Sequence, residues 1–92
     1  MKKFKEDQNV AVLTTKFVLF GKEPITYVYR YKEDGMWEFA GDTETKEADY
    51  KVISLEEIIM HDPSVSDVAD LELGTYAYRE ENGGNWSVFD LD

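Results

Sequence analysis

Two segments of alternating aromatic residues enclose one segment of helical pattern, and this order restricts the chain to few folds. Ile25 to Tyr31 (ITYVYRY) and Thr75 to Arg79 (TYAYR) both alternate with the period of a β-strand. Between them, residues 55–69 place apolar side chains at helical spacing. Strands followed by helices and again by strands are typical of an antiparallel sheet with helices packed on one face. The sequence therefore predicts the α+β class.

About five strands are predicted from runs of β-branched and aromatic residues, with turns rich in glycine and proline between them. They comprise residues 10–20, 25–31, 36–39, 75–79 and 86–89, and the first is either one strand or two with a bend. The first three form a meander and the last two a hairpin. Tyr27, Tyr29 and Tyr31 share one strand face, which favours a core covered by helices over an interface.

Two short helices are predicted between the third and fourth strands. Ser54 and Glu57 have the spacing of a capping box, so the first helix begins directly after Ser54. Asp62 and Pro63 are typical of a second helix start, with the aspartate as N-cap and the proline at the first helical position. The acidic segment 41–49 has a single apolar residue and is predicted to be a surface loop.

The length of the chain, 92 residues without cysteine, supports one domain over 1–92 and no disulfide framework. Residues 1–9 are expected to form a flexible N-terminal arm. No apolar run is long enough for a signal peptide or a membrane span. The sequence therefore predicts a cytoplasmic protein that makes no membrane contact.

Acidic residues dominate the second half of the chain. The net charge is -10, and residues 52–92 hold ten acids against one base, whereas residues 1–51 hold ten acids and nine bases. Such a surface repels phosphate backbones, which disfavours direct nucleic-acid binding, and attracts basic proteins. The alternative is that the acidity only maintains solubility.

Motifs for catalysis, metal binding or cofactor binding are missing. The single histidine, His61, has no cysteine or second histidine with which to share a metal, and is expected to interact with a helix C-terminus. Gly35, Gly83 and Gly84 belong to no phosphate-binding pattern. The sequence thus predicts no catalytic residue, no metal ligand and no cofactor. Because twenty carboxylates make a close pair easy to form, a small carboxylate-dependent enzyme is kept as an alternative.

The candidate partner-binding residues are two acidic groups and one aromatic anchor. One group lies on the loop 41–49 and the other lies within 67–72, and together they are predicted to attract a basic partner. Trp37 is the candidate anchor, although Trp37 and Trp86 are both also expected in the core with a partner for the indole N–H. The candidate residues are Trp37, Asp42, Glu44, Glu47, Asp67, Asp70 and Glu72.

A set of short motifs extends over about residues 10 to 90. It consists of the segment Pro24 to Tyr31, the run Trp37-x-Phe39-x-Gly41-Asp42, Ile53-Ser54-Leu55 through Asp62-Pro63-Ser64, and then Asp70, Gly74, Tyr76, Arg79, Gly84 and Trp86. Together these motifs resemble the immunity protein 33 family. The resemblance implies a cytoplasmic α+β protein that neutralises a toxin of a bacterial polymorphic toxin system by binding it.

The leading hypothesis is a non-enzymatic, acidic inhibitor, a monomer or weak dimer, whose partner is a protein such as a basic toxin domain. A housekeeping ligand-binding or scaffold domain without a toxin is the main alternative. The presence or absence of a toxin gene beside this one distinguishes the two hypotheses.

Overall fold

Six strands form a single sheet in this protein, for which a computed structural model describes residues 2–91. The strands are β1 (Ala11–Thr15), β2 (Tyr27–Arg30), β3 (Trp37–Ala40), β4 (Tyr50–Ser54), β5 (Thr75–Tyr78) and β6 (Ser87–Asp90). Their order across the sheet is β4-β1-β3-β2-β5-β6. Neighbouring strands are antiparallel except β1 and β3, which are parallel.

The helical segments between β4 and β5 begin where the capping residues predict. The helices are α1 (Lys16–Leu19) and α2 (Leu55–His61), with 3-10 helices at Glu47–Asp49 and Pro63–Val68. At the start of α2, Ser54 Oγ accepts from the Glu57 N–H and Glu57 Oε1 accepts from the Ser54 N–H, both at 3.1 Å. Asp62 caps the second segment with Pro63 at its first turn. The predicted α+β class is confirmed, and the second predicted helix is a 3-10 helix. None of the helices within 2–91 has the length and hydrophobicity that a bilayer span requires.

The first predicted strand, 10–20, is wrong in its second half. The strand ends at Thr15, whose hydroxyl accepts from the Val18 N–H at 3.1 Å and caps α1. A threonine oxygen that satisfies a free N–H of the first turn makes this short helix favourable despite the β-branched residues around it. The β-propensity of the run therefore describes only its first part.

The predicted meander of three strands is also wrong. β1 does not pair with β2 but lies between β3 and β4, parallel to β3 and antiparallel to β4. β4, which was not among the predicted strands, pairs with β1 over its whole length, from Ala11 opposite Ser54 to Thr15 opposite Tyr50. The hairpins β2–β3 and β5–β6 are present as predicted.

The N-terminal segment, expected to be a flexible arm, is packed against the domain over its described residues 2–9. The Phe4 ring lies 5.0 Å from the Trp37 ring in an edge-to-face arrangement. Glu6 forms a 2.8 Å ion pair with Arg30. The carbonyl of Gln8 accepts a hydrogen bond from the first turn of α2. The segment thus covers one end of the core.

One face of the sheet carries the hydrophobic core. Side chains from β2, β3 and β5 contact side chains from α2 and the second 3-10 helix, and each of them is at most 5% exposed. These residues are Val28, Trp37, Phe39 and Ala77 from the strands, and Leu55, Ile58, Val65 and Val68 from the helical segments. The other face of the sheet lies outside this core.

Candidate functional site

An array of aromatic rings covers the face of the sheet opposite the helices. Because successive side chains of a strand point to opposite faces, the residues that alternate with Val28 and Ala77 all point away from the core. We call this array the tyrosine face. Its rings are Tyr27, Tyr29 and Tyr31 on and just after β2, Tyr76 and Tyr78 on β5, and Phe89 on β6.

The rings of the tyrosine face stack on one another both along and across the strands. Along β2, the Tyr29 ring lies 5.9 Å from the Tyr27 ring and 5.9 Å from the Tyr31 ring, in nearly parallel planes. Across the strands, Tyr29 lies 5.6 Å from Tyr76, which lies 5.3 Å from Phe89. Such offset-stacked rings support one another, so the surface is rigid before any partner binds.

The tyrosine face is only partly buried, which contradicts the expectation that helices cover it. Its five tyrosines are half-buried, and Phe89 is 47% exposed. Tyr50 and Val52 of β4, on the same side of the sheet, are 37% and 64% exposed. The helices instead cover the face of Val28 and Ala77, because side chains without a hydroxyl pack under apolar helices whereas a phenol needs a polar partner or water.

A buried carboxylate, Glu38 of β3, lies within the tyrosine face. It is 6% exposed and stands between Tyr29 of β2 and Leu13 of β1 in the sheet register. The Tyr31 hydroxyl donates a 2.7 Å hydrogen bond to Glu38 Oε1. Among the residues described, Tyr31 is the sole side chain that hydrogen-bonds to Glu38.

The electrostatic field at the tyrosine face is negative. Burial raises the pKa of Glu38, an effect that the hydrogen bond from Tyr31 partly offsets. Burial, followed by the charge of Glu38, raises the pKa of Tyr29 to about 12. The pKa of Tyr31 is raised by burial and by its hydrogen bond to Glu38, and the pKa of Tyr50 by burial and by the charge of Glu38. Apart from neighbouring phenols, every charged group acting on these tyrosines is a carboxylate.

Replacing Glu38 with glutamine is expected to stabilise the protein at neutral pH. Because the pKa of Glu38 is raised on folding, the folded protein holds this proton more tightly than the unfolded chain does. That contribution to stability is complete below the pKa of the unfolded glutamate and is lost as the pH rises through the raised pKa. At about pH 7 we expect Glu38→Gln to raise the free energy of unfolding by about 1 kcal/mol and Tm by about 4–8 °C.

Urea unfolding between about pH 4 and about pH 8 measures this effect as a difference between the two proteins. The difference should shrink towards the acidic end, where Glu38 becomes protonated. Glu47→Gln, which removes the same charge from an exposed loop position, is the matched control and should change stability by less than about 0.5 kcal/mol. A Glu38→Gln protein less stable than the native protein at neutral pH would contradict the prediction.

Trp37, the candidate anchor, lies in the core and offers no surface to a partner. It is 1% exposed, and the guanidinium of Arg30 lies 4.7 Å from the centre of its ring. The expected core position of Trp37 is therefore confirmed, and its expected contact with a partner is not supported. The expected indole hydrogen bond is wrong, because neither Trp37 nor Trp86 has an acceptor for its N–H within residues 2–91.

The acidic loop group is exposed as predicted and lies after β3. Glu44 and Glu47 are exposed, and Asp42 Oδ1 accepts a 2.7 Å hydrogen bond from the hydroxyl of Thr26. The loop 41–49 closes with a short 3-10 helix, and its Asp49 pairs with Lys16 at 3.2 Å. The negative charge of this group therefore faces solvent at one end of the sheet.

The second acidic group is divided: Glu72 lies near the other end of β2, whereas Asp67 belongs to the second 3-10 helix, on the core side of the sheet. Asp67, Asp70 and Glu72 are exposed, and Asp70 forms a 3.1 Å surface ion pair with Lys2. At one end of β2, Thr26 directly precedes the strand and donates to Asp42. At the other end, the carbonyl of Arg30, the last residue of β2, accepts from the N–H of Gly74, which is close to Glu72 in sequence. Four residues of strand separate these points by about 13 Å. The structure does not bring the two groups into one patch, and the tyrosine face lies on strands between them.

Four residues of the sequence motifs contact a fifth, Arg79, which is 1% exposed. Its guanidinium donates to the Ile25 carbonyl at 3.0 Å, to Ser64 Oγ at 2.8 Å and to Asp62 Oδ2 at 2.9 Å. The ring of Trp86 lies 4.2 Å from the guanidinium. This arginine cluster joins β5, the second 3-10 helix and the β5–β6 hairpin. Much of the set that resembles the immunity protein 33 family therefore stabilises the fold.

The sequence favours a core position over an interface for Tyr27, Tyr29 and Tyr31, and it does not single out Glu38 as a site residue. The available signal was the coincidence of two tyrosine stripes, one in 25–31 and one in 75–79, each alternating around one central aliphatic residue, Val28 or Ala77. Aliphatic residues pack under helices without unsatisfied polar groups, so this contrast indicates which face helices cover. Within 2–91, no three histidine or acidic side chains come together as a metal site would require. The structure thus offers an aromatic surface with one central carboxylate.

Comparisons of the chain with protein-family models, with curated proteins and with solved structures give no match. The resemblance to the immunity protein 33 family is therefore based on the sequence motifs alone. The site is described by its own geometry: an array of stacked, half-buried phenols, a buried carboxylate among them, and exposed acids at both ends of the sheet.

Proposed function

We propose that this protein is a non-enzymatic binding protein that holds a basic protein partner on its tyrosine face. The observation that carries the proposal is the placement of the helical segments, which leaves an aromatic face of the sheet partly exposed. Monomeric proteins rarely expose a contiguous aromatic surface, and where they do it is commonly an interaction site.

The chemistry of the tyrosine face suits a protein partner. Tyrosine combines a large apolar area with a hydroxyl and has few rotatable bonds, so ordering it on binding costs little entropy. Interface residues that contribute most to affinity are enriched in tyrosine and tend to lie at the centre of the contact. Tyr29 has that central position, because it stacks on rings to either side and across the strand.

The charge of the protein favours a basic partner. The net charge is -10, and exposed acids lie at both ends of the sheet that carries the tyrosine face. Such a field accelerates the approach of a basic protein and disfavours nucleic acids, whose phosphates it repels. We therefore assign steering to the acidic groups and the main contact to the tyrosine face.

The resemblance to the immunity protein 33 family suggests what the partner is. It implies that the bound protein is a toxin of a bacterial polymorphic toxin system, and many such toxins are basic because they act on nucleic acid. We propose such a toxin, encoded by the neighbouring gene, as the partner. Neighbouring genes without a toxin would favour the alternative of a housekeeping binding or scaffold domain.

The test is co-expression of this protein with the product of the neighbouring toxin gene, followed by measurement of Kd and of the rate constants. We expect a 1:1 complex that suppresses the toxin. The double variant Tyr29→Ser with Tyr76→Ser should weaken binding by at least about 30-fold, mainly through faster dissociation, because it removes two central rings.

A triple variant provides the matched control for charge. Asp67→Lys, Asp70→Lys and Glu72→Lys together should slow association by about tenfold at low salt and leave dissociation nearly unchanged. Circular dichroism should verify that both variants remain folded. Unchanged binding in the tyrosine variant, with strong loss in the triple variant, would move the contact from the tyrosine face to the acidic group.

A further inference from the structure

Glu38 differs from the other buried acids of the protein in having no cation beside it. Among the described residues, the buried acids are Glu38, Asp49 and Asp62. Asp62 pairs with Arg79 at 2.9 Å and Asp49 pairs with Lys16 at 3.2 Å. Glu38 has a single side-chain hydrogen bond, from Tyr31, although an ionised carboxylate accepts about four. Burying a charge without a counter-ion is unfavourable, so a cation placed beside Glu38 would be bound favourably.

The protein itself pairs an arginine with a carboxylate beside an aromatic ring at two places. Arg30 lies 4.7 Å from the centre of the Trp37 ring and donates to Glu6 at 2.8 Å. Arg79 lies 4.2 Å from the centre of the Trp86 ring and donates to Asp62 at 2.9 Å. In both places a guanidinium lies over a ring and also donates a hydrogen bond to an acid.

The tyrosine face presents the same elements without the arginine. It offers aromatic rings, whose faces attract cations, and a carboxylate in register with Tyr29. We infer that Glu38 binds the guanidinium of an arginine side chain from the basic partner, with that arginine stacked on the rings of the tyrosine face. This inference rests on the proposed function.

A guanidinium fits this site better than an ammonium group does. It is planar, so one face lies on a phenol while its edge donates to a carboxylate. It is also more weakly hydrated than an ammonium, so it enters a half-buried aromatic surface at a lower desolvation cost. Glu38 then gains the counter-ion that the isolated chain does not provide.

The inference is tested on the isolated protein with argininamide as the probe, so the partner is not needed. Argininamide is titrated to about 50 mM, which brackets the millimolar Kd expected for a single stacked ion pair, while NMR follows the ring protons of the tyrosines. We expect saturable shifts centred on Tyr29 and Tyr31. Glu38→Gln should raise Kd at least about tenfold, whereas Glu56→Gln, which removes an exposed charge on α2, should change it by less than about twofold.

Two further probes decide the chemistry. Lysinamide carries the same charge and should bind at least about fivefold more weakly. Citrullinamide, which keeps the α-amine but has a neutral urea group in place of the guanidinium, should produce no saturable shift. Equal Kd values for the native protein and Glu38→Gln, no saturable shift with argininamide, or tighter binding of lysinamide would each overturn the inference. The ring shifts of the unbound variant show directly that it remains folded.

The outcomes also separate this inference from the proposed function. If Glu38→Gln does not change argininamide binding but Tyr29→Ser with Tyr76→Ser abolishes partner binding, the arginine site is refuted. The tyrosine face then remains the proposed contact with the partner. If argininamide binds at Glu38 but the tyrosine variant binds the partner normally, Glu38 is still an arginine site. The proposal that the partner binds on the tyrosine face is then refuted.

Discussion

Arg79→Met is expected to lower the free energy of unfolding by about 3–5 kcal/mol, because it leaves Asp62 charged and buried without its cation. The Ile25 carbonyl and the Ser64 hydroxyl lose their donors in the same step. A domain of this length has a total stability of about 5–14 kcal/mol, so the loss removes a large share of it. Urea unfolding followed by circular dichroism measures the effect, and Tm should fall by at least about 12 °C.

Two companion variants test the cause of this loss. Arg79→Met combined with Asp62→Asn should be about 1–2 kcal/mol more stable than Arg79→Met alone, because asparagine retains the cap to the Ser64 N–H and removes the isolated charge. Lys2→Met breaks an ion pair whose side chains are 55% and 67% exposed, and should cost less than about 1 kcal/mol. Similar losses for Arg79→Met and Lys2→Met would refute the role assigned to burial.

Trp37→Ala is expected to be the second strongly destabilising change, by about 3–5 kcal/mol, because it opens a large cavity in the core. The rings of Phe4 and Phe39 both pack on Trp37, so the N-terminal segment should also loosen. Equilibrium unfolding measures the loss of stability. Faster hydrogen exchange at the Glu56 N–H, which donates to the carbonyl of Gln8, measures the loosening.

The control for Trp37 is an aromatic residue outside the core. Phe20 is 75% exposed, and Phe20→Ala should change stability by less than about 0.5 kcal/mol. Trp37→Phe keeps most of the core volume and should retain partner binding, because Trp37 is not on the tyrosine face. A Trp37→Phe protein of native stability that no longer binds the partner would instead restore Trp37 as a contact residue.

The two faces of the sheet have different roles in this account. The face with Val28 is covered by helical segments and contains the core, while the arginine cluster ties the β5–β6 hairpin to the second 3-10 helix. The opposite face has stacked tyrosines and a carboxylate that the fold leaves without a counter-ion. If Glu38→Gln is more stable than the native protein but no longer binds argininamide, Glu38 contributes to binding at the expense of stability.

Local features of the fold were predictable because they depend on neighbours in sequence. The capping box at Ser54 and the Asp62-Pro63 start satisfy N–H groups within three residues, so spacing alone reveals them. The hairpins β2–β3 and β5–β6 need only a turn between two alternating runs. For the same reason the loop 41–49 was found, because its residues have almost nothing to bury.

Pairings between distant segments were not predictable in this way. β1 lies between β3 and β4, a choice that depends on backbone hydrogen bonds across more than twenty residues of chain. The turn into α1 was hidden because Thr15 favours a strand by propensity and a helix start by its hydroxyl. The tyrosines were expected under the helices because alternation gives a residue's phase along a strand but not which phase the helices cover.

The sequence by itself determined the α+β class, the helix starts, the two hairpins and the acidic character of the surface, since each follows from composition or from contacts a few residues apart. Only the tertiary structure decided that the tyrosines face outward, that Glu38 lies among them, and that the two acidic groups do not form one patch. The physical reason is that both strand faces are apolar enough to be buried. Which face is buried is decided by how well its side chains pack under α2 and the second 3-10 helix.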